Sequence, residues 1–129
     1  MKYQKPTDSE LSILQILWQE GAVSVREVND KLNEESEKEI GYTTTLKLMQ
    51  IMLDKGLVSR NTDQRTHIYS AAINESETQG KLLDEFVDTT FRGSAMKLVM
   101  QALGNHRASS SELDAIKALI EKIEKEKNE

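Results

Sequence analysis

Cysteine is absent from this chain of 129 residues. That excludes disulfides, thiolate metal sites and cysteine nucleophiles, and it fits a reducing compartment. Proline occurs once and glycine six times, so long uninterrupted helices are allowed. Aromatic residues make up only 5% while charged residues reach 30%, a balance typical of helical proteins with solvated faces. No apolar run reaches the ~18 residues that a membrane span needs. The start of the chain is charged but carries no apolar h-region, so no secretory signal is expected. A cytoplasmic location is the expectation.

Catalytic patterns are missing as well. HExxH, GxSxG and P-loop strings do not occur. His67 and His106 do not form an i, i+4 pair, and each reads as an ordinary strand or loop residue. No enzyme activity, metal or cofactor is expected.

The net charge is −5. Residues 1–72 carry nine Lys and Arg against eleven Asp and Glu, and residues 73–129 carry eight against eleven. Between 41 and 70 the balance reverses, with Lys47, Lys55, Arg60 and Arg65 against Asp54 and Asp63. An acidic remainder weakens non-specific attraction to nucleic acid, so specific contacts must supply more of any affinity.

Thr7-Asp8-Ser9-Glu10 has capping-box spacing. It predicts a helix over roughly 8–19 with Leu11, Leu14 and Trp18 as its stripe, Ile13 and Leu17 beside them, and a stop near Gly21. Ala22-Val23 is a short extended link. Ser24 to Glu27 repeats the capping box and opens a second helix with Val25, Val28 and Leu32 inward. NEESEKE (33–39) reads as a solvated end or loop. The third helix, GYTTTLKLMQIMLDKG, starts near Thr43 and ends at Gly56, a residue that accepts positive φ. Leu46, Met49, Met52 and Leu53 share one side, flanked by Thr45. Thr43, Thr44, Lys47 and Ile51 face the other way. Ile51 either meets a thymine methyl or sugar edge there, or belongs to the core in a register shifted by one.

Leu57–Arg60 and His67–Ser70 read as two strands around a polar loop, 61–66. A helix followed by a β-hairpin in this order is the reading end of a winged helix-turn-helix. The fold expected is mainly α with a small β-hairpin: a winged helix-turn-helix domain over 1–72 and a helical dimerisation arm over 73–129. In the arm, Asn74 opens a helix to about Thr90 and Arg92-Gly93 breaks it. A second helix runs from Ser94 to Leu103 and ends at Gly104. Ser109 caps a third, and the charged tail from Glu124 should fray.

The arm's apolar stripes comprise Leu83, Phe86, Val87 and Phe91, then Met96, Val99, Met100 and Leu103, then Leu113, Ile116, Leu119, Ile120 and Ile123. A segment this short rarely builds its own core. Burial against a second copy, giving a homodimer, is the economical solution. The other reading folds these helices back on the first domain. Met96, Met100 and Phe91 can also be read as lining a small ligand pocket, although a methionine stripe is more often core or interface.

GYTTTLKLMQIMLDKGLVSR, followed by a wing and YSAAINESE, resembles the penicillinase-repressor family of bacterial transcriptional regulators, also called BlaI/MecI/CopY. The opening TDSELSILQILW, with Leu17-Trp18, and the Tyr42-Thr43-Thr44 helix start carry the resemblance. It extends over nearly the whole chain. It implies a winged-helix DNA-binding domain, a C-terminal dimerisation domain, a double-stranded palindromic operator and repression by steric exclusion of polymerase. It also implies that Thr43, Thr44 and Lys47 enter the major groove.

Copper-responsive members carry a C-terminal Cys motif, which this chain lacks. β-Lactam-responsive members are cleaved at an Asn–Phe bond by an upstream sensor protease. The matching bond here is Gln101-Ala102, and the change argues against that partner. Ile51 stands where the family often has Arg, which points to a different operator. Tyr42 is placed to bond a phosphate or to pack at the helix start. Arg60 and Arg65 flank the wing, suited to backbone phosphates or the minor groove. The competing class is a winged-helix protein-interaction module that does not bind DNA, which the net acidity favours.

Overall fold

The computed structural model describes residues 4–105 and 107–128, so His106 lies outside the described residues. The elements run α1 (Asp8–Glu20), β1 (Val23–Ser24), α2 (Val25–Glu35), α3 (Tyr42–Asp54), β2 (Val58–Asn61), β3 (Ile68–Ala71), α4 (Glu75–Thr90), α5 (Ala95–Asn105) and α6 (Ser110–Lys127). They fall into two compact units, residues 1–82 and 83–129, which divide within α4.

The first unit begins with two helices started by reciprocal caps. The Thr7 hydroxyl accepts from the Glu10 amide, and the Glu10 carboxylate accepts from the Thr7 amide at 2.9 Å. Ser24 and Glu27 repeat the arrangement at the head of α2. Gly21, at φ 84°, ends α1 and releases the chain into β1. The core gathers Ile13, Leu14 and Leu17 of α1, Val25 and Val28 of α2, and Met49 and Met52 of α3. Val23, Leu57, Val58 and Tyr69 close it from the sheet side. The inward side of α1 is therefore centred on Ile13, Leu14 and Leu17, with Leu11 and Trp18 at its margin. Trp18 is half-buried and donates its indole N–H to the Ile73 carbonyl at 3.0 Å.

The sheet is antiparallel with strand order β1-β3-β2. Val23 pairs with Tyr69, and Val58 through Asn61 pair with Ala71 back to Ile68. Both hairpin strands sit one residue later than the alternation suggests. Leu57 is outside β2 because its amide bonds the Met52 carbonyl at 2.9 Å while Gly56 bonds Leu53 at 3.1 Å. These two bonds form a Schellman ending for α3, with Gly56 at φ 79° as the left-handed residue. His67 likewise falls in the loop, which spans 62–67. The Asp63 amide donates to the Asn61 side chain at 2.8 Å and starts the turn.

Other boundaries differ from the sequence expectation. α3 begins at Tyr42, with Gly41 as its cap. α2 continues to Glu35, and Asn33, expected to be solvated, is engaged in the α2–α3 elbow described below. In the second unit Phe91 lies just past α4. Arg92 and Gly93 both take positive φ, 51° and 85°, and make the predicted break. Gly104 does not end α5, which reaches Asn105. The charged tail remains helical to Lys127, because α6 has its own capping box at Ser109–Glu112 and Lys125 and Lys127 in the last turn complement the helix dipole.

Candidate nucleic-acid interface

α3 is fastened on one side and open on the other. Thr45, Met49 and Met52 are fully buried, with Leu46, Leu48 and Leu53 partly so. Thr45, expected only to flank the apolar side, belongs to the core. Tyr42, Thr43, Thr44, Lys47 and Ile51 are exposed. Ile51 keeps 40% of its surface open, which settles the two readings of its register in favour of the outward one. Each of these side chains stands on a helix whose inner face is locked by packing.

The start of α3 is held by two asparagines on α2. Gly41 offers no side-chain cap. Instead Asn33 grips the backbone of Ile40 from both sides: its carbonyl accepts from the Ile40 amide at 2.6 Å, and its amide donates to the Ile40 carbonyl at 3.0 Å. Asn29 donates to the same carbonyl at 3.0 Å and to the Thr45 hydroxyl at 2.8 Å. Asn29 is buried, so these bonds replace water it has lost. The elbow that aims Thr43 and Thr44 is thus set by a polar network.

The far end is fixed by charge. Glu10 is only 1% exposed and its carboxylate meets the Lys55 ammonium at 2.8 Å. Burial pushes the carboxyl's pKa up, but the Lys55 and Thr7 hydrogen bonds together hold it below its ordinary value. Lys55, counted with the basic segment on sequence, is therefore neutralised within the fold.

The wing carries Arg60 on β2 and Arg65 in the loop, both exposed. A cleft lies between the heads of α2 and α3 and the wing. Ser24, Arg26, Tyr42, Arg65, Thr66 and His67 are among its lining residues. The Arg26 guanidinium sits 4.9 Å from the centre of the Tyr42 ring. Sequence reading singled out Tyr42 and Arg65 but missed Arg26. Its visible signal was its place two residues after the cap Ser24; the stack on Tyr42 joins residues far apart in the chain.

In the second unit no described residue is buried. Leu83, Phe86, Met96, Val99, Met100, Leu103, Leu113, Leu119, Ile120 and Ile123 are exposed. Val87, Phe91 and Ile116 are half-buried. Phe86 and Phe91 meet edge to face, ring centres 5.6 Å apart. Among the described residues, no cluster of His, Asp or Glu is arranged to hold a metal, and no helix is long and apolar enough to cross a membrane.

The sequence profile of the penicillinase repressor family matches residues 6–122. The chain is 24% identical to the penicillinase repressor of Bacillus licheniformis over 132 residues, spanning 99% of this chain and 98% of that protein. It is 19% identical to the methicillin resistance regulatory protein MecI of Staphylococcus aureus, spanning 90% and 93%. The solution structure of Bacillus licheniformis BlaI in monomeric form with the blaP half-operator aligns at a TM-score of 0.50 and 22% identity, over 59% of this chain and 90% of that one. A MarR family protein from Bacillus stearothermophilus aligns at 0.50 and 21%, over 98% and 78%. These likenesses confirm the winged-helix fold. With the match running through both units, the chain belongs to the penicillinase repressor family.

Proposed function

We propose that this protein is a sequence-specific DNA-binding repressor, acting as a homodimer on a palindromic operator and carrying no catalytic activity. Residues 1–72 read the DNA and residues 73–129 join two copies. The observation that carries the reading is the exposed face of α3, where Thr43, Thr44, Lys47 and Ile51 project from a helix packed rigidly behind. An α-helix fits the major groove. Lys47 is suited to a guanine edge, Ile51 to a thymine methyl, and the Thr43 and Thr44 hydroxyls to bases or phosphates. Tyr42 meets the backbone at the helix start. Arg60 and Arg65 bring the wing to the adjoining backbone or minor groove.

The dimer reading rests on the coreless second unit. Its apolar stripes leave several large side chains open to water, each worth about 1.5–3 kcal/mol on full burial. A second copy offers the same stripes and a closed two-fold interface. Two copies would place their reading helices about 34–36 Å apart, one helical turn of DNA.

The acidic balance of the chain favours one rival, a winged helix that binds protein through the same face. Titrating the full chain with duplex DNA over a salt series separates the two. Phosphate contacts release counterions, so DNA binding must weaken steeply as salt rises. Sedimentation of the same sample should give the mass of two chains. Absence of duplex binding even at low salt would remove the repressor reading, and a monomer at high concentration would remove the dimer.

A further inference from the structure

We propose that the cleft between the heads of α2 and α3 and the wing is a clamp for one DNA backbone phosphate, with Arg26 as one jaw and Arg65 as the other. The inference rests on the DNA-binding reading and adds α2 to the interface. Arg26 and Arg65 line the same cleft, from elements far apart in sequence, together with Ser24, Tyr42, Thr66 and His67. The cleft holds about 460 Å³, room for a phosphodiester and its water. Among the lining residues no carboxylate appears, although the first unit as a whole is acidic. The polar lining therefore offers cationic and hydrogen-bonding groups suited to an anion.

Arg26 is also prepared for the task. Its guanidinium lies over the Tyr42 ring at 4.9 Å, a cation–π contact. No ion pair engages Arg26 among the described residues. A planar guanidinium held on an aromatic face keeps its edge for two parallel bonds to phosphate oxygens. Tyr42 thus acts as a positioning residue for Arg26 as well as a neighbour of the backbone. The strand of DNA beside α3 would pass between α2 and the wing, gripped from both sides.

The test uses the full chain and an operator recovered by selection from random duplexes. Single backbone phosphates are replaced one at a time by neutral methylphosphonates, and affinity is read for the wild type, Arg26→Gln and Arg65→Gln. One linkage per half-site should weaken the wild type about tenfold or more, and the same linkage should cost both variants much less. Each variant should flatten the salt dependence, by at most about 0.9 in the log–log slope per phosphate lost. Lys117→Gln, on α6, controls for a general loss of charge and should leave slope and pattern unchanged. Tyr42→Leu should reproduce part of the Arg26→Gln loss, and the double variant should lose clearly less than the sum of the two single losses. If Arg26→Gln keeps the wild-type pattern and slope, the clamp is wrong while the DNA reading stands. If the wild type binds no duplex at all, the reading beneath it fails too.

Discussion

Replacing Lys55 by Met isolates a buried charge. Glu10 is 1% exposed, and its carboxylate is held by the Lys55 ammonium at 2.8 Å and the Thr7 amide at 2.9 Å. Methionine keeps the length of the stem and removes the ammonium. A carboxylate left unpaired in the interior costs about 3–5 kcal/mol. Here one partner is partly wet, with 34% of the Lys55 side chain exposed. Solvent screening lowers the expectation to roughly 2 kcal/mol.

The pH dependence follows from the direction of the shift. In the wild type the Glu10 carboxyl is held below its ordinary 4.5, so the pair's contribution is present above that pH and fades as pH falls through the depressed folded value. Without Lys55 the largest lowering influence is gone and burial pushes the carboxyl up. The variant's penalty should therefore be greatest near neutrality and shrink as pH falls, first above 4.5 as the variant's carboxyl takes up its proton and then below 4.5 as the wild type loses the pair. The assay is urea unfolding followed by the fluorescence of Trp18, the only tryptophan, at one protein concentration and several pH values. A penalty below about 0.5 kcal/mol at neutral pH, or one that stays constant on acidification, would refute the reasoning.

Lys47→Ala should lose about 1–3 kcal/mol of operator affinity by fluorescence anisotropy, with unfolding unchanged because the side chain is exposed. Asn33→Ala should destabilise by about 1–2 kcal/mol in the same urea assay, since it frees the Ile40 amide and leaves the Ile40 carbonyl with Asn29 as its remaining donor. It should also narrow the gap between operator and non-operator binding, because α3 loses its aim. Met100→Glu should raise the dimer dissociation constant by roughly tenfold or more in sedimentation equilibrium, by taking a charge into an apolar interface. Far-ultraviolet helicity should reveal whether that variant instead unfolds the arm.

Local signals were legible in the sequence. Three reciprocal caps, at Thr7, Ser24 and Ser109, start helices as their spacing indicates. The outward face of α3 followed from helical periodicity, and Gly56 marked its end. What was hidden depends on distant partners. Lys55 looked like part of a basic surface until the fold brought it to Glu10, 45 residues away. Arg26 gained meaning only beside Tyr42. Asn33 read as part of a polar run because its partner, the Ile40 backbone, has no signature in sequence. The hairpin slipped by one residue because hydrophobic alternation does not show that the Leu57 amide already serves the end of α3. Gly104 was overruled by the helix around it, since glycine weakens a helix by only about 1 kcal/mol.

The central claim is that α3 reads a base sequence and that two copies read it together. Selection of bound duplexes from a random library with the full chain, repeated at low and moderate salt, tests both parts. A two-fold symmetric motif with half-sites about one helical turn apart, retained at moderate salt, is the predicted result. Recovery of no motif, with weak retention at low salt alone, would contradict it.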